Sequence, residues 1–110
     1  MSMRILGRSV VITEASVKVE EQYKLDERKA LTVDTSGASY SITTSNPKLL
    51  VLIVDGDDMY VDTQPISADS PKIKEGGSLT MTLGGEQITV YAKAVNTSGT
   101  LYILVFKGVG

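Results

Sequence analysis

The stretch "SLTMTLGGEQITVYAKAV", Ser78 to Val95, decides the fold. Apolar and polar residues alternate on both sides of Gly84-Gly85, the period-two signature of strands that turn one face to a core. Leu79, Met81, Leu83, Ile88, Val90, Ala92 and Ala94 share one face, and Thr80, Thr82, Gln87, Thr89, Tyr91 and Lys93 share the other. Two glycines between such runs are a hairpin signal. The spacing therefore predicts a hairpin with Met81 opposite Ile88 and Leu79 opposite Val90.

Downstream, "NTSG" (Asn96–Gly99) is a second turn and "TLYILVF" (Thr100–Phe106) a returning strand. A four-residue loop sets Leu101, Ile103 and Val105 against Ala94, Ala92 and Val90, on the core side. The other side of this strand is Tyr102, Leu104 and Phe106, expected beside Lys93, Tyr91 and Thr89. A strand apolar on both sides is either covered twice or carries a contact surface. Tyr91, Tyr102, Leu104 and Phe106 are accordingly the candidate interface residues.

Upstream, "LLVLIVDGDDMYVD" (Leu49–Asp62) reads as another hairpin, bent at Asp55–Asp58. Either a two- or a four-residue loop leaves Leu50, Leu52, Val54, Met59 and Val61 on one face and Val51, Ile53 and Tyr60 on the other. Asp bonds its own backbone and Gly adopts positive φ freely, so both suit a bend. Asp55, Asp57 and Asp58 are also weak candidates for a calcium site, since hard cations take several oxygen ligands. Only the start of an EF-hand spacing is present: no Gly follows in place, and Ile66 occupies the twelfth position. "ASYSITT" (Ala38–Thr44) alternates as a strand, and Asn46-Pro47 punctuates the chain before the apolar run. Thr63–Ser78, with two prolines and two glycines, is a long connection with at most a short strand near Ile66 or Ile73.

The first third differs. Between Glu14 and Lys29, nine of sixteen residues are charged, against thirteen of seventy-seven from Asp34 onward. Its apolar residues follow period two better than a helical period, so short strands around an Asp26–Arg28 turn are expected. The segment is a solvated surface or a partner-docking arm. With 110 residues the chain makes one domain, residues 1–36 forming an N-terminal arm with the first strands and residues 37–110 an antiparallel core. Regular short strands with turn signals between them indicate an all-β fold, an antiparallel β-sandwich or jelly-roll-like small barrel with an extended charged N-terminal segment.

Composition excludes much chemistry. There is no Cys and no His, so Ser-His-Asp and Cys-His catalytic sets cannot be built within one chain, and no cofactor is implied. A net charge of −2 argues against nucleic acid as a partner. The longest apolar run, Leu49–Val54, is far short of the roughly 20 residues of a membrane span. Gly7 and Arg8 interrupt the apolar stretch near the N-terminus, so a secretion signal is not expected. Glu75 and Glu86 look like turn residues, and no facing acid pair is evident. The chain is not expected to be an enzyme. Thr80, Thr82 and Thr89 are ordinary exposed strand residues. The tyrosines at 23, 40, 60, 91 and 102 are scattered, and the absence of Trp makes a sugar-binding platform less expected.

From Ile42 onward, over about 65 residues, the order of features resembles small β-sandwich virion structural proteins of tailed bacteriophages. The residues that carry this are Gly76–Leu79, leading into a strand, Ser98-Gly99-Thr100-Leu101, and the ending Gly108–Gly110. The resemblance implies a head-decoration, collar, fibre or tail role in the virion, after synthesis in the host cytoplasm. It implies symmetric self-assembly, with a trimer favoured, against other virion proteins such as a major capsid protein, and it carries over no catalytic residue. The alternative is a carbohydrate- or cell-surface-binding module of a tail or fibre.

Overall fold

The computed structural model describes residues 23–108. Expectations for residues 1–22 and for Val109-Gly110, including most of the arm, lie outside that range. Eight strands follow in order: β1 (Tyr23–Asp34), β2 (Ala38–Ser41), β3 (Pro47–Asp55), β4 (Met59–Asp62), β5 (Lys72–Ile73), β6 (Ser78–Thr82), β7 (Thr89–Ala94) and β8 (Ser98–Gly108). They form two antiparallel four-stranded sheets, β1-β8-β3-β6 and β2-β7-β4-β5.

The pairs β1–β8, β2–β7, β3–β6 and β4–β5 nest one inside the next. The chain thus folds back on itself around residues 63–71, and the doubled ribbon rolls up until β8 also pairs with β3 and β7 with β4. This is a β-sandwich of two four-stranded sheets with the strand order of a jelly roll, so the two expected descriptions meet in one fold. Successive strands change sheet at every connection but the one from β4 to β5.

Inward residues of both sheets make one core. Leu50, Leu52 and Val54 of β3 and Leu101, Ile103 and Val105 of β8 face Met59 and Val61 of β4 and Val90, Ala92 and Ala94 of β7, all buried. The two alanines leave room on β7 for the larger side chains opposite, as close packing between two sheets requires. Every residue assigned to a core face from the alternation is buried or packed against the core, including Leu79, Met81, Leu83 and Ile88.

The strand partners differ from expectation. The hairpin at Gly84-Gly85 is not formed. Leu83 N–H still donates to Lys48 of β3 at 2.8 Å, and Gly85, at φ +98°, donates to Pro47 O at 3.0 Å. Ile88 C=O then accepts from Ile42 N–H of the other sheet at 3.0 Å. The bends at Asp55–Asp58 and at Asn96–Gly99 are likewise crossings between sheets and not hairpins. Alternation requires only that a residue point inward, and it is satisfied equally by a neighbour beside the strand and by one across the core.

Nor does the chain turn at Asp26–Arg28. β1 is one strand of twelve residues paired along β8, with a register shift between Leu25 and Glu27 that absorbs the extra residue. Residues 23–34, placed with the arm, therefore belong to the sandwich. Of the two sites suggested for a short strand in the long connection, Ile73 is the one used.

The crossings at Gly56 and Gly99 lie against each other. Gly56 has φ +89°, and a Cβ there would come 3.1 Å from Gly99 Cα; a Cβ on Gly99 would come 2.4 Å from Asp55 O and 3.0 Å from Asp57 N. Backbone meets backbone, so nothing flexible can yield. Gly99→Ala should cost roughly 1–3 kcal/mol, and more if the crossing cannot shift. Thermal unfolding followed by circular dichroism checks this; an unchanged melting temperature would show that the close approach is not a constraint.

Candidate functional site

The outward side of the β1-β8-β3-β6 sheet is the candidate site. Register aligns its residues in rows across three strands. Leu25, Phe106 and Leu49 form one row, Arg28, Leu104 and Val51 the next, and Ala30, Tyr102 and Ile53 the third. On β6 the same rows end in Thr82, Thr80 and Ser78. Eight of the nine positions on β1, β8 and β3 are thus apolar, facing away from the core. Leu25 and Tyr102 are its exposed large apolar residues, at 40% and 41% exposure, and Leu104 and Phe106 are half-buried by their neighbours.

Three of the four expected interface residues, Tyr102, Leu104 and Phe106, stand together on this face. Tyr91 does not. It lies on β7, on the outward side of the other sheet, because β7 and β8 oppose each other across the core instead of pairing. In exchange the face gains Leu49, Val51 and Ile53 from β3 and Leu25 and Ala30 from β1. The signal for the β3 residues was present: "LLVLIV" is apolar at every position, so both of its sides are apolar.

The acidic bend is occupied by its own chain. Asp57 is 6% exposed, and its carboxylate accepts Asn96 N–H, Thr97 N–H and Asn96 Nδ2–H, each at 2.9 Å, with Asp58 N–H also at 2.9 Å. Asp58 accepts Glu75 N–H at 2.9 Å, and its carbonyl accepts Val95 N–H at 3.0 Å. Asp55, at the exposed end of β3, pairs with Thr100. Among the described residues no group of three or more acids converges as a cation site would require. Donors from Thr97 and Asn96 hold the Asp57 carboxyl down at about 2, from a usual 3.8.

A second carboxylate performs similar work at the edge where β1 and β2 meet. Glu27, inward-facing just after the register shift, accepts Thr43 N–H at 3.0 Å, Thr44 N–H at 2.9 Å and Thr44 Oγ–H at 2.7 Å, together with the Tyr40 hydroxyl. Partial burial raises its pKa, but the Tyr40, Thr44 and Thr43 hydrogen bonds outweigh that and lower it overall. Glu27 in turn raises that of Tyr40. This clasp was not visible in the sequence, since Glu27 sat in a charged run and its partners lie 13 to 17 residues away.

No protein-family model, no curated protein and no solved structure matches the chain.

Two outcomes follow. Asp57→Asn turns a donor toward backbone N–H groups and should lower the melting temperature at neutral pH. Because the folded-state pKa of Asp57 is depressed, the stability it contributes is complete above 3.8 and is lost as pH falls from there toward 2. The variant should therefore lose less stability than the wild type over that range. Equal acid profiles in a circular-dichroism titration would refute it. For the second clasp, Glu27→Ala should cost about 1–2 kcal/mol, discounted for partial exposure. A double-mutant cycle with Tyr40→Phe should give a non-zero coupling energy, and strict additivity would remove the clasp from the account.

Proposed function

We propose that this is a non-enzymatic structural protein that works by protein–protein contact, self-assembling through the outward face of the β1-β8-β3-β6 sheet. The observation that carries this reading is the apolar block of three strands by three rows. At strand and residue spacings its projected area is about 300 Å², where scattered exposed apolar residues would need no explanation. With β6 and the flanking rows, the sheet offers roughly 650 Å² per copy, close to the area that each partner contributes to a standard-size interface.

A second copy suits this face. Two identical sheets stack as in a sandwich, and a two-fold axis parallel to the strands lays β1 of one copy over β6 of the other. The row Arg28-Leu104-Val51-Thr80 then lies over its own reverse. Leu104 meets Val51 of the second copy, and Arg28 meets the Thr80 hydroxyl, an acceptor for its guanidinium. No charge is opposed to a like charge.

Within this reading the protein is a virion component that decorates or stabilises a capsid, in contact with a major capsid protein. The resemblance from Ile42 onward supports that assignment, and the jelly roll is one of the folds capsid proteins use, an analogy of fold alone. The absence of His and Cys leaves few routes to catalysis.

Mass measured by light scattering or sedimentation at high micromolar concentration should exceed one chain. Leu104→Asp should return it to one chain while the circular-dichroism spectrum is kept. Thr80→Arg should weaken association by setting Arg against Arg28 of the other copy, and Thr80→Glu should strengthen it. A single-chain mass for the wild type at these concentrations would reject self-assembly, and equal effects of the two Thr80 variants would reject the two-fold stack.

A further inference from the structure

The opposite sheet carries a different surface. On the outward side of β2-β7-β4-β5, Tyr91 lies between Ser39 of β2 and Asp62 of β4, and Lys93 lies beside Tyr60, which is followed by Lys72 of β5. Above Tyr91 and Lys93 the surface is concave. A shallow, open cleft of about 430 Å³ is bordered by Ser36 and Ser39 on one side and by Pro65 and Ile66 on the other. That volume is within the range of small-ligand sites.

Both walls are braced from behind. Ser36 N–H donates to Asp34 Oδ1 at 2.9 Å, and Gly37 N–H donates to Asp34 O at 3.1 Å, which holds the turn between β1 and β2. The other wall hangs on Asp62, which accepts Thr63 N–H at 2.7 Å, Gln64 N–H at 3.3 Å and Ser70 Oγ–H at 2.8 Å. Ser70 Oγ in turn accepts Ser67 N–H at 2.9 Å. The loop carrying Pro65 and Ile66 is thereby fixed over the sheet, and a ligand would meet a cleft already formed, with little ordering cost.

The chemistry of the lining is mixed in a specific way. Tyr91 supplies a half-exposed aromatic ring with a polar tip. Ser39 supplies a hydroxyl and Lys93 a cation, while the Ser36 hydroxyl already donates to Asp34 Oδ1. Among the described residues the one ion pair joins Lys107 to Asp26, so no described carboxylate lies within ion-pair distance of Lys93. Asp62, the acid nearest in register, is committed to Ser70 and its own loop, and those bonds keep its pKa lowered. An aromatic floor, the Ser39 hydroxyl and an ammonium that no described carboxylate pairs are complementary to a ring with one apolar face, hydroxyls and a negative group.

We propose that this cleft binds a saccharide bearing a carboxylate, its ring laid on Tyr91 and its carboxylate on Lys93. The site shares no residue with the apolar face of the other sheet, so it stands or falls separately from self-assembly. A virion protein with both surfaces would associate through one sheet and present the other to an acidic cell-surface glycan.

The probes are sialyllactose, a galacturonic acid trimer and neutral lactose, titrated into the isotope-labelled full chain and followed by amide chemical shifts. At least one acidic sugar should shift residues 36–39, 65–66 and 91–93, and lactose should bind at least about tenfold more weakly. Tyr91→Ala should abolish the shifts. Lys93→Gln, an exposed change that leaves the fold intact, should reduce the acidic sugar to the affinity of lactose. Leu104→Asp should leave binding unchanged. Absence of shifts with both acidic sugars, equal affinity for lactose, or an unaltered titration for Lys93→Gln would overturn the proposal.

Discussion

The carboxylate of Asp57 sits where two crossings of the sandwich meet. It takes four hydrogen bonds, three of them from the turn between β7 and β8, while it belongs to the turn between β3 and β4. The two turns could not approach so closely with a side chain at Gly99. Strands β3 and β8 lie in one sheet and β4 and β7 in the other, so this contact ties the sheets at the end where both inner hairpin-like ribbons change layers. Burial of Leu50, Leu52, Ile103 and Val105 supplies the driving force, and the Asp57 contact sets where the layers are held.

Glu27 provides a second tie at the β1 and β2 edge. Two carboxylates, each spent on backbone donors, thus join the layers in a chain that has no Cys for a disulfide. Their cost is a dependence on ionisation, which they share with Asp34 and Asp62, whose pKa values are lowered by bonds within the turns.

The rolled ribbon also explains why the two outward surfaces differ. β3 and β8 are central in their sheet and apolar on both sides, so one outward face is apolar. β7 and β4 carry Lys93, Tyr91, Tyr60 and Asp62 outward, and the long connection after β4 folds over them to make a cleft. One sheet presents a flat apolar surface outward and the other a concave, more polar one.

Residue by residue, the inward set from Leu50 to Val105 was legible in the amino-acid sequence, because side chains in a strand alternate with period two and a buried face must be apolar. The all-β class, the bend at Asp55–Asp58 and the double-sided apolar character of Tyr102, Leu104 and Phe106 came from the same source. Which strands pair did not. Met81 pairs with Leu50 and not with Ile88, and Leu101 pairs with Val54 and not with Ala94. Tyr91 consequently left the surface on which Tyr102 stands, and Asp57 and Glu27 acquired partners far along the chain. Alternation is a property of one strand and its exposure to a core. Adjacency is a property of how a doubled ribbon rolls, and that is decided only when long-range contacts close.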